Sequence, residues 1–524
     1  MTSAASQSST TVNSSVTEKR DSIIKQTDIE KVAESPITSG TTPSTPPPYT
    51  AFSNARISCI IAIVTCAGFL GPVSGNIYIP ILQQMQEVFN CSTTTINATV
   101  SVFMVFFAIA PLLWAPYADI GGRKTLYIVS LLFFIIANIL LATVPANIGA
   151  LFVLRIVQAF GASSVMSVGT ATVADVTPPK DRAKVISYFM LGPQLGPILG
   201  PILSIIAWNG AWRWIFGFLA ILGGVIYLAI VFCLPETLRC LVGNGEKVQL
   251  DGFFVKPRLT QKSLLSEDES KKYPLPPKPS LRGYWNIFKF KPVALCSFNN
   301  GLLFAGFYAM SVTFAEVLKD HYHFSSLHVS LSYICPGVSL VSGSLIGGRI
   351  SDYLRTRMNI RHPGRYIPEH RFTLQFVGLA ISLSGLLGYG WCIAKHHHVV
   401  SVFVFTFLTG FGMTFVFVTT TTYLTECSPA QKASSVAVAN FFRNASAAVS
   451  SVIIHILVEK MGWGWCFTGL ALLDVLGIAI VFFIIWKGPA WRKEWNDQKQ
   501  NGLNSSSAPP TTPAPPGDIG PKSQ

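Results

Sequence analysis

The chain has 524 residues, of which 50% are hydrophobic and 12% charged. Ordinary soluble domains carry about 25% charged residues, so this composition excludes a string of soluble domains and points to a protein built inside a membrane. The net charge of +14 does not mark a nucleic-acid binder, because the basic residues gather at the ends of apolar segments, where they set orientation.

Residues 1–55 are rich in Ser, Thr and Pro and poor in large apolar residues, which predicts a disordered cytoplasmic tail. No apolar stretch precedes Ile57, so no signal peptide is expected. Within the tail, Pro46 to Tyr49 reads PPPY, the PPxY pattern that WW domains bind. A WW-domain ubiquitin ligase is one partner this suggests, with Lys19, Lys25 and Lys31 as acceptors; an ordinary Pro-rich linker is the plainer reading.

From Ile57 onward, twelve apolar spans follow: 57–80, 96–118, 125–145, 149–172, 184–207 and 213–234, then 293–318, 327–350, 372–394, 399–422, 433–455 and 463–486. Each is long enough to cross a hydrocarbon core of about 30 Å as a helix. An even number of crossings puts both termini on one side. Alternate loops carry Arg123 and Lys124, then Lys180, Arg182 and Lys184, then Arg355, Arg357, Arg361 and Arg365, while the opposite loops carry chiefly Arg213, Lys319, Lys395 and Lys460. By the positive-inside rule the first set, and both tails, are expected in the cytoplasm. The predicted plan is a six-helix bundle over 56–234, a cytoplasmic linker over 235–292, a second bundle over 293–487 and a disordered cytoplasmic tail over 488–524. In the linker, Ser266 and Ser270 flank an acidic patch and are candidate phosphorylation sites. Asn90 and Asn97 fit the glycosylation pattern on the first outer loop. Asn97 falls inside the second span, and Asn90 is too near the membrane boundary for ready occupancy.

Chemistry-bearing residues inside the spans are few. The stretch Ala115 to Lys124, APYADIGGRK, reads as a polar turn at a membrane face, with a partial echo in Gly348 to Arg357 that places Asp352 where the first copy has Asp119. Arg155, with Gln158, lies inside the fourth span; an arginine there is costly and should face a water-filled cavity, unless it snorkels to the nearer interface. Arg443, beside Asn444, is a second such cation in the eleventh span. Two buried arginines suit a carboxylate substrate, whereas a cationic drug would need an acidic wall. Asn76, Tyr78, Gln194, Asn299, Asn300, Tyr308 and Tyr333 are further cavity candidates, although polar residues in spans serve equally as interhelical glue. Of the acids, Glu316 lies near a span end and Asp474 midway along the last span, where it carries protons only if it faces the cavity. His396 to His398 fall in an outer loop and read as a sensor of outside pH or as inert, not as metal ligands. The ten cysteines are scattered without metal-site or disulfide spacing.

With this layout the motifs resemble the major facilitator superfamily, in particular its fungal twelve-span drug:proton antiporter branch. The 115–124 loop keeps the family's Asp119, Gly122, Arg123 and Lys124 but has Ala115 and Ile120 where a Gly and a basic residue are usual. The fourth span's LRIVQAFGA is similar to the R-x-x-Q-G pattern, with Ala159 for the Gly. The fifth span's LGPQLGPILGP resembles the antiporter signature through Gly192, Gly196, Pro197 and Gly200, with Pro201 replacing the last Gly. The strings GPVSGNIYIP and LPETLR look like those of yeast quinidine-resistance-type exporters, a group that includes organic-acid and, nearby, citrate exporters.

The resemblance implies an all-α membrane protein with twelve transmembrane helices in two six-helix halves. It implies that Asp119 faces the amino end of a helix in the other half and locks an outward-open state, and that Arg155 couples protons or contacts an anion. The expected function is a plasma-membrane exporter of organic acids such as citrate or monocarboxylates, or of drugs, by proton antiport and alternating access. A proton-coupled importer and a non-transporting sensor are the alternatives. No enzymatic set of nucleophile, base and orienting group is recognisable, and no cofactor beyond the proton gradient is expected.

Overall fold

The computed structural model describes residues 49–204, 206, 211–248, 254–255, 263–266, 269–270, 273, 275–276, 281–361, 367–428 and 431–506. In a bilayer every backbone polar group must be satisfied within its own segment, so apolar runs of this length become helices. Six long ones form the first half: α1 (Asn54–Asn76), α2 (Thr93–Gly121), α3 (Arg123–Thr143), α4 (Ile148–Val176), α5 (Arg182–Leu203) and α6 (Arg213–Cys233). The second half has α7 (Lys291–Glu316), α8 (Ile334–Arg361), α9 (Gln375–Ala394) and α10 (Val399–Cys427). The helical run Lys432–Ser506 is broken at Gly462 (φ 73°), which divides it into α11 (432–461) and α12 (463–506). Ser53, Ser92 and Asn147 start α1, α2 and α4 by accepting from free amides of the first turn.

Ten segments among the described residues are long and apolar enough to cross a membrane, the tenth being the α11–α12 run. Helix α8 has the length but buries Ser339, Ser344, Ser351 and Asp352 along one face. The apolar cores follow the two halves: one cluster is built almost wholly from α1–α6 and the other from α7–α12. Large apolar side chains such as Val153, Ile221, Val225, Val452, Leu472 and Phe482 point outward, the surface a hydrocarbon solvent requires. Within the first half, α5 meets α1 through Gly192, Gly196 and Gly200, where an added Cβ would strike Thr65, Pro72 and Val73, and Asn76 and Ile77.

Four segments differ from the sequence reading. Ala115 to Lys124 is no turn: α2 stays helical through Gly121 and α3 begins at Arg123, joined by Gly122 alone at φ 107°. Gly348 to Arg357 likewise lies within α8, and the connection after it, 362–366, falls outside the described residues. The linker's first residues are packed, with Leu238, Cys240, Leu241, Val242 and Val248 forming a small buried cluster. Beyond 488, where a disordered tail was expected, α12 runs on to Ser506. Its extension is held by Trp491 against Phe483, Trp495 against Phe290 and Arg492 on Glu369. Pro46 to Pro48, the three tail lysines and the tail after 506 lie outside the described residues.

Candidate functional site

The end of the bundle that carries the basic connections, here the basic end, is where the halves are bonded together. Asp119, in the last turn of α2, accepts from the amides of Ala433 (3.2 Å) and Ser434 (3.0 Å) and from the Ser434 hydroxyl (2.7 Å). Those amides belong to the first turn of α11, so one half supplies the N-terminal cap of a helix in the other. Asp352 does the same in reverse, accepting from the amides of Ala183 (3.2 Å) and Lys184 (2.7 Å) in the first turn of α5. The residue preceding α5, Asp181, makes no cap of its own.

Each capping carboxylate is held by an arginine: Arg123 on Asp119 at 2.8 Å and Arg371 on Asp352 at 3.0 Å. Each arginine also reaches the acid at the end of a neighbouring helix, Arg123 to Asp175 of α4 at 3.0 Å and Arg371 to Glu426 of α10 at 3.1 Å. Lys432 crosses from the second half to Asp175 at 2.7 Å. Further bonds between the halves, Ser344 to Ser187 O (3.4 Å), Arg371 to Pro179 O (2.9 Å) and Asn440 to Ser167 (3.3 Å), also lie toward this end.

Glu236, from LPETLR, takes the amides of Arg123 (2.9 Å), Lys124, Thr237 and Leu238 and so caps α3. Burial pushes its carboxyl above the usual carboxylate range, and the amides of Leu238, Arg123 and Thr237 pull back against it. Gly122 leaves the space this carboxylate fills, since a Cβ there would lie 2.5 Å from Glu236 Oε2. Lys124 turns away from the lock and donates to Val231 O at 2.8 Å.

Away from the basic end sit the two intramembrane arginines. Arg155 is fully buried, with its guanidinium 4.2 Å from the centroid of the Tyr78 ring and 4.7 Å from that of Phe103. It donates to Gln158 Oε1 (2.9 Å) and Ser74 O (3.3 Å), and Gln158 is itself oriented by Asn138 (2.7 Å). Instead of lining an open cavity as expected, it is enclosed in its own half between two aromatic faces, an arrangement worth about 2 kcal/mol where water is excluded. Its Nε and one terminal nitrogen have no hydrogen-bond partner among the described residues. Arg443 lies over Phe304 (4.7 Å) of α7 and Phe417 (5.0 Å) of α10, with its Nε also unpartnered.

The remaining candidates divide. Gln194, buried and unpartnered at both amide atoms among the described residues, lies seven residues beyond Ser187 and so on the α5 face turned toward α8. Asn300 is buried with its Nδ2 free, and Tyr308 packs on Phe304, which Arg443 covers. The others sit in local contacts. Asn76 bonds back to Pro72 O, Tyr78 shares a hydrogen bond with Thr99, and Tyr333, in the turn before α8, donates to Ser311 O. Asn299 points its Oδ1 at Gly477 of α12. Asp474 is buried beside Ser382 of α9, and Glu316 pairs at the surface with His455. His398 accepts from Val400 N at the start of α10. Asn90 is exposed, in the left-handed conformation that ends the short helix Leu82–Phe89.

The sequence reading missed Asp175, Glu236, Arg371, Glu426, Lys432 and Asn138. A carboxylate closing both the fourth and the tenth span was the signal that could have found Asp175 and Glu426.

Comparison with known proteins agrees with this architecture. The chain is 46% identical over 473 residues to Dityrosine transporter 1 of Saccharomyces cerevisiae, covering 86% of this chain and 83% of that protein. It is 45% identical over 477 residues to Multidrug transporter DTR1 of Candida glabrata, covering 85% and 87%. The fold is that of the proton:xylose symporter XylE, solved with 6-bromo-6-deoxy-D-glucose, at a TM-score of 0.61 and 16% identity over 83% of this chain and 96% of that one. The Major Facilitator Superfamily model matches residues 64–364 and 370–516. With its two six-helix halves and reciprocal helix caps, the chain belongs to the Major Facilitator Superfamily and is a multi-pass membrane transporter, not an enzyme.

Proposed function

We propose that the protein exports an aromatic carboxylate of the dityrosine class across the plasma membrane by alternating access and proton antiport, with the basic end in the cytoplasm. The observation that carries the substrate class is that Arg155, beside the rings of Tyr78 and Phe103, and Arg443, beside those of Phe304 and Phe417, keep buried nitrogens without partners among the described residues, as do the amides of Gln194 and Asn300. Unpaired buried donors cost about 1–3 kcal/mol each, a cost that anionic groups of a substrate relieve. Aromatic walls receive its rings. The name of the 46% identical relative supports the same class.

The cations of the basic end support the orientation. The bonds that shut this end support an outward-facing resting state in which Asp119 and Asp352 are the locks. The glycine and proline pattern of α5 supports export. The test is a proteoliposome assay with an imposed pH gradient, comparing dityrosine, citrate, acetate and a hydrophobic cation. Gradient-driven movement of dityrosine, opposite to the proton flow, is expected. Preferential movement of the cation would remove the carboxylate reading, and flux in the direction of the protons would make the protein an importer.

A further inference from the structure

We infer that Tyr49 is a positioning residue for the lock at the basic end: it decides which cations reach Asp175. The inference rests on the alternating-access reading above and deepens it. Asp175 stands among more cations than it has oxygens to serve. Its two oxygens go to Arg123 (3.0 Å) and Lys432 (2.7 Å), the latter from the other half. Two further arginines lie at the same helix end: Arg182, bonded by Tyr49, and Arg239, which Tyr49 covers and which donates to the Asp175 carbonyl at 3.0 Å. The Tyr49 hydroxyl accepts from Arg182 at 2.8 Å and donates to Ala174 O at 3.3 Å. The Arg239 guanidinium lies 3.5 Å from the centroid of the Tyr49 ring and donates to Tyr49 O at 2.6 Å.

Among the described residues Arg182 bonds only neutral oxygens, those of Tyr49, Ala174 and Thr177, and the Asp175 carboxylate is left to the pair that includes the crossing Lys432. Lys432 also approaches Ala174 O at 3.3 Å, so a single carbonyl gathers Tyr49, Arg182 and the crossing lysine. Arg182 opens α5, and the next two amides of that helix hold Asp352. Both seams between the halves thus converge on the residues that Tyr49 touches. The segment around it is anchored by Ala51 N on Asn244 O (3.0 Å) and by Phe52, whose ring lies against Gly245. Without the ring and hydroxyl, Arg182 loses its shortest acceptor and Arg239 its aromatic cover, which leaves both guanidinium groups freer to turn to the Asp175 carboxylate and weaken the hold of Lys432.

The test uses the full chain in vesicles with a cysteine reporter, Asn440→Cys, on the seam between α11 and α4. A membrane-impermeant maleimide is supplied at the basic side, and labelling at position 440 is read by peptide mass spectrometry, which separates it from the native cysteines. Losing a desolvated cation–π contact and a hydrogen bond should speed labelling about tenfold in Tyr49→Ala, and losing the hydroxyl alone about threefold in Tyr49→Phe. A purely structural role predicts reduced protein with an unchanged labelling rate in what remains, and that result overturns the inference. Should Tyr49→Ala fail to fold, Tyr49→Phe decides alone, with wild-type labelling as the refuting result. Asp119→Asn is the reference: if it speeds labelling and the Tyr49 variants do not, the inference fails while the lock stands. If none of the three responds, the alternating-access reading falls with it.

Discussion

At the scale of single residues, the protein keeps two guanidinium groups deep in an apolar bundle and gives each a pair of rings. Arg155 has the more demanding place, with no measurable exposure and a Gln158–Asn138 chain fixing one side of its fork. Arg155→Ala and Arg155→Lys are both expected to abolish substrate flux in the vesicle assay while quantitative blotting finds the protein in the membrane, because an ammonium keeps the charge but not the planar stacking. Flux near the parent level in either variant would take Arg155 out of the transport cycle. Arg155 and Gln158 were legible in the sequence because a cation inside an apolar run is conspicuous. Asn138 was not, since a neutral amide in a helix says nothing about what it faces.

At the scale of helices, the glycines do two separate jobs. Gly192, Gly196 and Gly200 let α5 lie directly against the α1 backbone. Overpacking such a seam typically costs about 1–3 kcal/mol, so Gly196→Val should lower the thermal midpoint in detergent, while Gly224→Ala, which meets nothing within 4 Å, should leave it unchanged. Equal midpoints would show that the seam is loose. Gly122 instead supplies a positive φ and room for Glu236, and a Gly122→Ala chain should unfold at lower temperature through backbone strain and the crowded carboxylate. Most of the twelve spans stand out by hydropathy, α8 least because it carries Ser339, Ser344, Ser351 and Asp352. The helical continuation through Ala115 to Gly121 could not, because the polar residues there resemble a turn until their partners in α11 are known.

At the scale of the whole molecule, the two halves cap each other's helices with equivalent residues, but the equivalence is incomplete. The first seam has Lys432 reaching across to Asp175 as well as Asp119 on α11, while the first residue of α5, Arg182, stays with its own half. Asp119→Asn and Asp352→Asn should both raise access of impermeant reagents to the basic end. A hydrogen bond to a charged group contributes about 1.5–3 kcal/mol, so each should do so about tenfold or more. Asp119→Asn, which also leaves Arg123 without its nearer acid, should have the larger effect. An unchanged rate in both would mean the closed end is held by packing alone. The duplication was visible in the sequence through the Asp119 and Asp352 echo. The cross-pairs were not, because they join residues 157 or more positions apart and carry no local pattern.

The shielding of Tyr49 by Arg239 and Arg182 has a consequence for the reactivity of its side chain. Arg239 covers the ring and Arg182 holds the hydroxyl, so whatever loosens the two arginines uncovers the whole Tyr49 side chain at once. A tyrosine-directed reagent offered at that face should therefore react slowly while the end is shut and faster once it opens.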